Sequence, residues 1–272
     1  MPADYGAETT RHPWCNPESA VRYFNTEGPI DPEDHYHIAP LSRIDLEQIL
    51  LLIQRKKYFI LHAPRQTGKT SVLLALADHL NAAGRVRCLY VNIEPVQTAH
   101  EDVDLAIRTV LSEIVHRAKV MLGDHSGLRL RPQVLAQEPP DSALRVFLAR
   151  WSESSRRPLV LLLDEIDTLE GDSLISVLRQ LRGGYDLRPA SAPQCVILCG
   201  VRDVRDFRIY PSHEGTHVMG DSAFNIKAES LRLGDFSEHE VRDLLGQHTA
   251  ETGQMFEEPA IDRIWDLTLG QP

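Results

Sequence analysis

Residues 58–73 read YFILHAPRQTGKTSVL, a short apolar run followed by a polar loop and the start of a second apolar stretch. The first run, Tyr58–His62, predicts a buried strand, and the apolar spacing over 69–83 predicts a helix. The loop between them ends in Gly68–Thr70, at the point where the helix begins. Since helix N-termini attract anions, a strand, loop and helix in this order predict an anion-binding loop.

The loop matches the pattern GxxxxGK[ST] except that Ala63 replaces the first glycine, which is acceptable if φ is negative there. Gly68 lets the backbone approach phosphate groups, Lys69 supplies a charge between the β- and γ-phosphates, and Thr70 offers a hydroxyl to Mg²⁺. We therefore predict that ATP and Mg²⁺ bind here, with Lys69 also acting in catalysis. The predicted binding segment consists of Ala63, Pro64, Arg65, Gln66, Thr67, Gly68, Lys69, Thr70 and Ser71.

A second apolar run, Leu159–Leu163, ends in acidic residues. A continuous apolar run is typical of a parallel strand that is buried on both faces. Asp164 would then lie at the same sheet edge as the phosphate loop and hold Mg²⁺ together with Thr70, while Glu165 would orient and polarise a water molecule. A solvated acidic turn is the alternative. Asp167 is interpreted as a helix cap, with a direct role as its alternative.

A third apolar strand, Cys195–Cys199, is followed by polar residues. A donor at its end could contact the γ-phosphate, and Arg202 is the candidate because a guanidinium is always charged and binds phosphate oxygens in a fork. The alternative is that Arg202 pairs with Asp203 or Asp206 at the surface.

Strand and helix patterns alternate along the chain, which predicts a parallel sheet with helices on both faces. Ligands bind such sheets at the carboxyl ends of the strands, where all three motifs fall. Residues 123–140 are rich in turn-forming residues and are predicted to form a surface loop. Residues 203–229 are irregular and are predicted to form an insertion. Ser237 and Glu240 form a capping-box pattern that predicts the start of a helix.

The composition is that of an ordinary globular protein, with 42% hydrophobic and 25% charged residues. The net charge of -10 argues against binding to a long stretch of nucleic acid, which requires Lys and Arg to neutralise phosphates. The N-terminus lacks the apolar region of a secretory signal, and no apolar run is long enough to span a membrane. The cysteines are interpreted as small core residues, so we expect a cytoplasmic protein. They are Cys15, Cys88, Cys195 and Cys199.

These motifs, in this order, resemble the P-loop ATPases that have an extra strand between the phosphate loop and the acidic strand. Within that group the sequence looks like the AAA-like and STAND-type ATPases (signal-transduction ATPases with numerous domains), including the archaeal-type branch. The resemblance covers roughly residues 35–272. It rests on HAPRQTGKTSVL at 62–73, LVLLLDEID at 159–167, VILCGVRD at 196–203 and the closing Gly270-Gln271-Pro272.

The resemblance implies an α/β fold, namely a three-layer αβα P-loop NTPase sandwich with a parallel sheet of order 5-1-4-3-2 and a small C-terminal helical lid. It implies an ATPase core over 41–234 and a lid over 235–272. Residues 1–40 are rich in Pro, Asp, Glu, Asn and His and lack helical or strand periodicity, so they are predicted to form an extended arm. The resemblance also implies that Pro272 packs against adenine, with an ordinary helix stop as the alternative, and that residues 38–43 hold the base. Since the family usually continues into a winged-helix or effector region, we expect a further domain beyond Pro272.

The expected function is that of an ATPase switch, in which ATP and Mg²⁺ bind between core and lid and hydrolysis resets the lid. A nucleotide-binding signalling scaffold with little hydrolysis, a DNA-associated loader and a small-molecule kinase remain as alternatives. We expect a protein partner or a homo-oligomer and no membrane association. Nucleic acid is an alternative partner that the acidic net charge disfavours. The sequence leaves open what the ATP cycle drives.

Overall fold

The computed structural model describes residues 21–201, 208–209, 218–219 and 229–272. The described residues form two compact units. The larger unit contains residues 39–236 and 271–272, and the smaller unit contains residues 21–38 and 237–270. The boundaries predicted for the arm, the core and the lid stay a prediction. The predictions for Cys15 and Arg202 lie outside the described residues, as does most of the predicted insertion over 203–229.

A five-stranded parallel sheet forms the centre of the larger unit. Its spatial order is β5-β1-β4-β3-β2, which confirms the predicted order 5-1-4-3-2. In chain order the strands are β1 Phe59–His62, β2 Arg87–Asn92, β3 Leu159–Asp164, β4 Cys195–Gly200 and β5 Ser230–Arg232. All four neighbouring pairs run parallel.

The central strands are buried on both faces, as their continuous apolar sequences require. Every residue of β3 and of β4 is buried. Because side chains alternate along a strand, Val160 and Leu162 contribute to one hydrophobic core and Leu161 and Leu163 to the other. The sheet therefore separates two apolar layers.

Helices cover both faces of this sheet. The first core contains residues of α1 and α2, and the second contains residues of α3, α4, α5 and α6. These helices are α1 Leu46–Gln54, α2 Lys69–Ala83, α3 Val103–Leu122, α4 Ser126–Gln137, α5 Pro140–Ser154 and α6 Gly171–Gly183. Short 3-10 helices span Pro40–Arg43, Glu94–Ala99, Ile166–Thr168 and Tyr185–Leu187. The predicted three-layer αβα sandwich is confirmed.

Helix α4 corrects the prediction of a surface loop over 123–140. Its sequence contains Gly127 and Pro132, which usually mark turns, but Val134 is buried and joins the larger core. A Cβ on Gly127 would lie 2.8 Å from Val115 Cγ2, so this glycine permits close packing of α4 on α3. Tertiary packing thus overrides the weak local preference for a turn.

The register of the strands brings their carboxyl ends to one edge of the sheet. His62, the last residue of β1, lies beside Gly200 of β4, and Asn92 of β2 lies beside Asp164 of β3. The loops that follow β1, β3 and β4 therefore start at neighbouring points. This is the edge at which ligands bind in sheets of this type.

The smaller unit contains two helices, α7 Glu238–Thr252 and α8 Glu258–Thr268, and a two-stranded parallel pair, Tyr23–Phe24 with His35–Tyr36. The capping box predicted at Ser237 and Glu240 is present. The predicted C-terminal helical segment is therefore observed. Elsewhere in the chain, a separate antiparallel pair joins Arg208–Ile209 to Val218–Met219.

The three cysteines of the described residues, Cys88, Cys195 and Cys199, are free and buried, which confirms their prediction as core residues. Burial raises the pKa of the Cys88, Cys195 and Cys199 thiols above the ordinary value, so they are protonated. Within the part of the chain that the structure describes, no helix has the length and apolar content that would let it cross a membrane.

Asp124 joins three elements of the larger unit. Its carboxylate accepts hydrogen bonds from Arg87 at 2.7 Å, from Trp151 Nε1 at 3.0 Å and from the Ser126 backbone at 2.8 Å. Burial by itself raises the pKa of Asp124, but the hydrogen bonds from Ser126, Trp151 and Arg87 outweigh it and hold that pKa well below its ordinary range. Asp124 thus fixes the α3–α4 connection to β2 and α5.

Replacing Asp124 with Ala should lower the free energy of unfolding by about 3 kcal/mol, because it leaves the buried Trp151 donor and the partly buried Arg87 and Ser126 donors without an acceptor. Urea unfolding at neutral pH measures this loss. Since the folded-state pKa of Asp124 is depressed, its stabilisation is complete above the unfolded pKa of about 3.9 and is lost as pH falls below it. The difference in the free energy of unfolding between the wild type and Asp124→Ala should therefore become smaller in acid.

The matched control is Asp104→Ala. Asp104 also pairs with an arginine, Arg108, at 2.7 Å, but both side chains are about half exposed. An exposed pair of this kind contributes about 0.3–0.5 kcal/mol. Equal losses in Asp124→Ala and Asp104→Ala would contradict the importance assigned to burial at Asp124.

Candidate functional site

The phosphate loop lies between β1 and α2, as predicted. Ala63 is fully buried, lies outside the positive-φ region and donates its N–H to Gly200 O at 3.2 Å, so the alanine is compatible with the loop. Gln66 and Gly68 have positive φ values of 59° and 79°, which turn the backbone into the helix. The Thr67 hydroxyl donates to Pro64 O at 2.8 Å and closes the loop on itself.

Lys69 is the first residue of α2, and only 6% of it is exposed. Its ammonium donates to Ala63 O at 3.1 Å and to Pro64 O at 2.8 Å. An ammonium has three hydrogens, so these bonds leave one for a phosphate oxygen. The first N–H groups of α2 have no acceptor within the helix, and together with Lys69 they favour an anion at this point. Ser71 is buried in the same turn, whereas Arg65 is exposed.

Thr70 and Asp164 connect the loop to the acidic strand. The Thr70 hydroxyl donates to Asp164 Oδ2 at 2.8 Å, and the Glu165 N–H donates to Asp164 Oδ1 at 3.0 Å. Asp164 is fully buried at the end of β3. A buried carboxylate beside a hydroxyl offers the hard oxygen ligands that Mg²⁺ prefers, so the residues present fit a magnesium ion.

Glu165 follows Asp164 in a left-handed conformation, with φ of 60°. The left-handed conformation ends the extended backbone of β3 at Asp164. Burial raises the pKa of Glu165, and the neighbouring charges of Asp164 and Asp167 raise it further, while Lys69 partly offsets them. A carboxylate with a raised pKa is a stronger base, which suits it to accept a proton from water.

Asp167 lies in the 3-10 helix after β3 and accepts a hydrogen bond from the Val201 N–H at 3.0 Å. Asp167 is the middle residue of this 3-10 helix, which is capped at Glu165, and α6 is capped at Glu170, so the prediction that Asp167 caps a helix is wrong. A Cβ on Gly200 would overlap the Asp167 carboxylate. Gly200 also accepts the Ala63 hydrogen bond, so this glycine lies where the loops after β1, β3 and β4 meet.

Arg43 holds the phosphate loop from the segment before β1. Its guanidinium donates to Thr67 O and to Gly234 O, both at 2.6 Å, and lies 4.4 Å from the centre of the Phe236 ring. A Cβ on Gly68 would lie 2.8 Å from Arg43 Nη1, which is a second reason for glycine there. The sequence placed Arg43 in a base-holding segment and gave no signal for this contact.

The structure thus brings together Lys69, Thr70, Asp164 and Glu165 at one sheet edge. Pro272 is exposed, and its contact with adenine stays a prediction. Tyr90 was missed by the sequence analysis: its hydroxyl donates to Asp164 Oδ2 at 3.0 Å. One signal for this contact was present in the sequence, because Tyr90 lies near the end of a predicted strand and the acidic strand was a candidate neighbour of that strand.

This sheet order and this arrangement of loop, lysine, hydroxyl and paired acids define a P-loop nucleoside triphosphatase. Residues 53–207, more than half of the chain, match the family described as the AAA domain. The chain belongs to the AAA domain family of nucleotide-binding ATPases. No curated protein sequence is significantly similar to it.

Several solved structures resemble the chain at low sequence identity. A Walker-type ATPase of Pyrococcus abyssi is 17% identical with a TM-score of 0.61, over 91% of this chain and 67% of that chain. Cdc6p from Pyrobaculum aerophilum is 16% identical with a TM-score of 0.48, over 78% of this chain and 50% of that chain. AMPPCP-bound DnaA from Aquifex aeolicus is 14% identical with a TM-score of 0.45, over 86% of this chain and 60% of that chain.

Replacing Gly200 with Ala should displace Asp167, because the added Cβ overlaps its carboxylate. Overpacking of this kind costs about 1–3 kcal/mol of stability. The displaced turn also carries Glu165, so if the protein hydrolyses ATP, turnover should fall while nucleotide affinity changes less. Urea unfolding and phosphate release measure the two effects.

Gly246→Ala is the control for Gly200→Ala. Gly246 lies within α7, and a Cβ there would meet nothing within 4 Å. Alanine is favoured over glycine in a helix by about 0.5–1 kcal/mol, so this variant should be slightly more stable. A Gly200→Ala protein as stable as the wild type would show that the turn after β3 yields without strain.

Proposed function

We propose that the protein binds ATP with Mg²⁺ at the phosphate loop and hydrolyses it to ADP and phosphate. The observation that supports this most strongly is the hydrogen bond from Thr70 to the fully buried Asp164, at 2.8 Å. The bond joins two residues that are 94 positions apart in the chain, which supports their proposed role as ligands of one metal ion.

The phosphates would be held by the α2 N-terminus and by Lys69. The helix dipole and the N–H groups of the first turn favour negative charge, and Gly68 keeps side-chain bulk out of the loop. The Lys69 ammonium is already held by Ala63 O and Pro64 O, so its position does not have to be ordered when a phosphate arrives. This preorganisation favours tight binding.

Thr70 and Asp164 would hold Mg²⁺. When bound, this ion neutralises charge that develops on the phosphate oxygens. The Thr70 hydroxyl can offer a lone pair to a metal while its O–H still donates to Asp164 Oδ2. The backbone N–H of Glu165 holds the other Asp164 oxygen.

Glu165 would act as the general base. Its carboxylate takes a proton from a water molecule, and the water oxygen then attacks the terminal phosphorus as ADP leaves. Burial and the nearby Asp164 and Asp167 raise the pKa of Glu165, which strengthens it as a base. Arg202 stays a predicted γ-phosphate contact, because it lies outside the described residues.

The wider role proposed for this ATPase is that of a conformational switch in the cytoplasm, acting on a protein partner or on further copies of itself. The acidic net charge of -10 disfavours nucleic acid as that partner. Mass measurement by light scattering, with and without ATP, tests for self-association.

The Lys69→Ala variant should lose nucleotide binding, because it removes the charge that faces the phosphates. The Glu165→Gln variant should bind ATP as the wild type does but release phosphate at least 100-fold more slowly, since general-base catalysis contributes about 10²–10⁴-fold. Fluorescent ATP binding and a phosphate-release assay measure the two properties separately.

The control for Lys69→Ala is Lys57→Ala, an exposed lysine before the opposite end of β1. It should change neither property. Normal hydrolysis by Glu165→Gln would show that another group is the base. If the wild type instead retains nucleotide through purification, as seen by mass spectrometry, yet releases no phosphate, the scaffold alternative is correct.

A further inference from the structure

Tyr90 lies on β2, the strand at the edge of the sheet beside the acidic strand. It pairs in register with Leu162, two residues before the level of Asp164. Only 2% of Tyr90 is exposed, and its ring belongs to the core beneath α2. Its hydroxyl therefore approaches Asp164 from within the protein.

The hydroxyls of Tyr90 and Thr70 share one acceptor. Tyr90 donates to Asp164 Oδ2 at 3.0 Å, and Thr70 donates to the same oxygen at 2.8 Å. The backbone of Glu165 holds Asp164 Oδ1. With both oxygens held, rotation of this carboxylate about its own axis would break at least one of these bonds. Of the two hydroxyls, Tyr90 lies outside the phosphate loop, so it can restrain Asp164 independently of that loop.

Arg117 of α3 lies against the Tyr90 ring. Its guanidinium carbon is 5.1 Å from the ring centre, within the range of a cation–π interaction. The positive charge polarises the phenol and makes it a better donor. The contacts thus run from Arg117 on α3, through Tyr90 on β2, to Asp164 on β3.

We propose that Tyr90 is a positioning residue of the magnesium site, which orients the Asp164 carboxylate for the metal and is itself held by Arg117. The proposal rests on the proposed function, in which Asp164 holds Mg²⁺. Hydrogen bonds from outer residues to metal ligands typically contribute 10–100-fold to metal affinity. Tyr90 should therefore affect the metal and leave the phosphate loop unaffected.

The test is the Tyr90→Phe variant, which removes only the hydroxyl. Binding of the fluorescent analogue mant-ATP is first titrated in EDTA. Mg²⁺ is then titrated into the protein at a fixed mant-ATP concentration. We expect Tyr90→Phe to need about 10-fold more Mg²⁺ for half-maximal binding. Its mant-ATP affinity in EDTA should stay within about twofold of the wild type, because Lys69 and the α2 N-terminus are unchanged.

Tyr58→Phe is a closely matched control. Tyr58 is also buried, donates one hydrogen bond, to Pro193 O at 2.9 Å, and has an arginine, Arg188, 5.1 Å from its ring centre. Tyr58 precedes β1 at the end away from the phosphate loop, so loss of its hydroxyl should leave the Mg²⁺ requirement unchanged. Thermal unfolding of each variant shows whether the two lost hydroxyls affect the fold equally.

Arg117→Gln provides a second variant that keeps the phenol. Removing one cation–π interaction should raise the Mg²⁺ requirement in the same direction, by about threefold. This variant tests the proposal even if Tyr90→Phe does not fold.

The possible results separate the two levels of inference. The role of Tyr90 is overturned if Tyr90→Phe needs no more Mg²⁺ than the wild type, or if it loses mant-ATP affinity in EDTA by the same factor as in Mg²⁺. Either result leaves the proposed function intact. A wild type that binds no mant-ATP, or binds it equally with and without Mg²⁺, overturns the proposed function and the role of Tyr90 together.

Discussion

The buried carboxylate of Asp164 is the constraint on which the site depends. A charged group without solvent is strongly destabilising unless donors or cations surround it. Asp164 accepts hydrogen bonds from Thr70, Tyr90 and the backbone of Glu165. These donors belong to α2, β2 and the turn after β3, so satisfying one side chain fixes three elements at the sheet edge.

The sequence predicted the sheet and the centre of the site because both follow from local patterns. Apolar runs such as Leu159–Leu163 identify buried strands without reference to the rest of the chain. The segment Ala63–Thr70 carries its chemistry in consecutive residues, and the acids follow directly after a strand. The strand order came from the resemblance to known ATPases, since no periodicity in one sequence specifies which strands are neighbours.

The contacts that the sequence did not predict depend on residues far apart in the chain. Tyr90 and Asp164 are 74 residues apart, and Arg43 and Gly234 are 191 apart. Helix α4 was missed for a related reason: Gly127 indicates a turn when its neighbours in the chain are considered, but it faces Val115 of another helix. Asp167 was predicted to cap a helix because its partner, Val201, follows a different strand, and the sequence does not show that the two residues are close in space.

The charge balance of the edge supports the proposal that nucleotide and metal bind together. Burial raises the pKa of Glu165, the charges of Asp164, Asp167 and Glu94 raise it further, and the charge of Lys69 partly offsets them. The phosphates of ATP would add further negative charge beside these carboxylates. Coulomb repulsion over a few ångströms is strong where water is excluded, so a divalent cation between the phosphates and Asp164 would lower the energy of both groups. The acidic turn would therefore select metal-bound ATP over free ATP, while the phosphate loop by itself recognises only the anion.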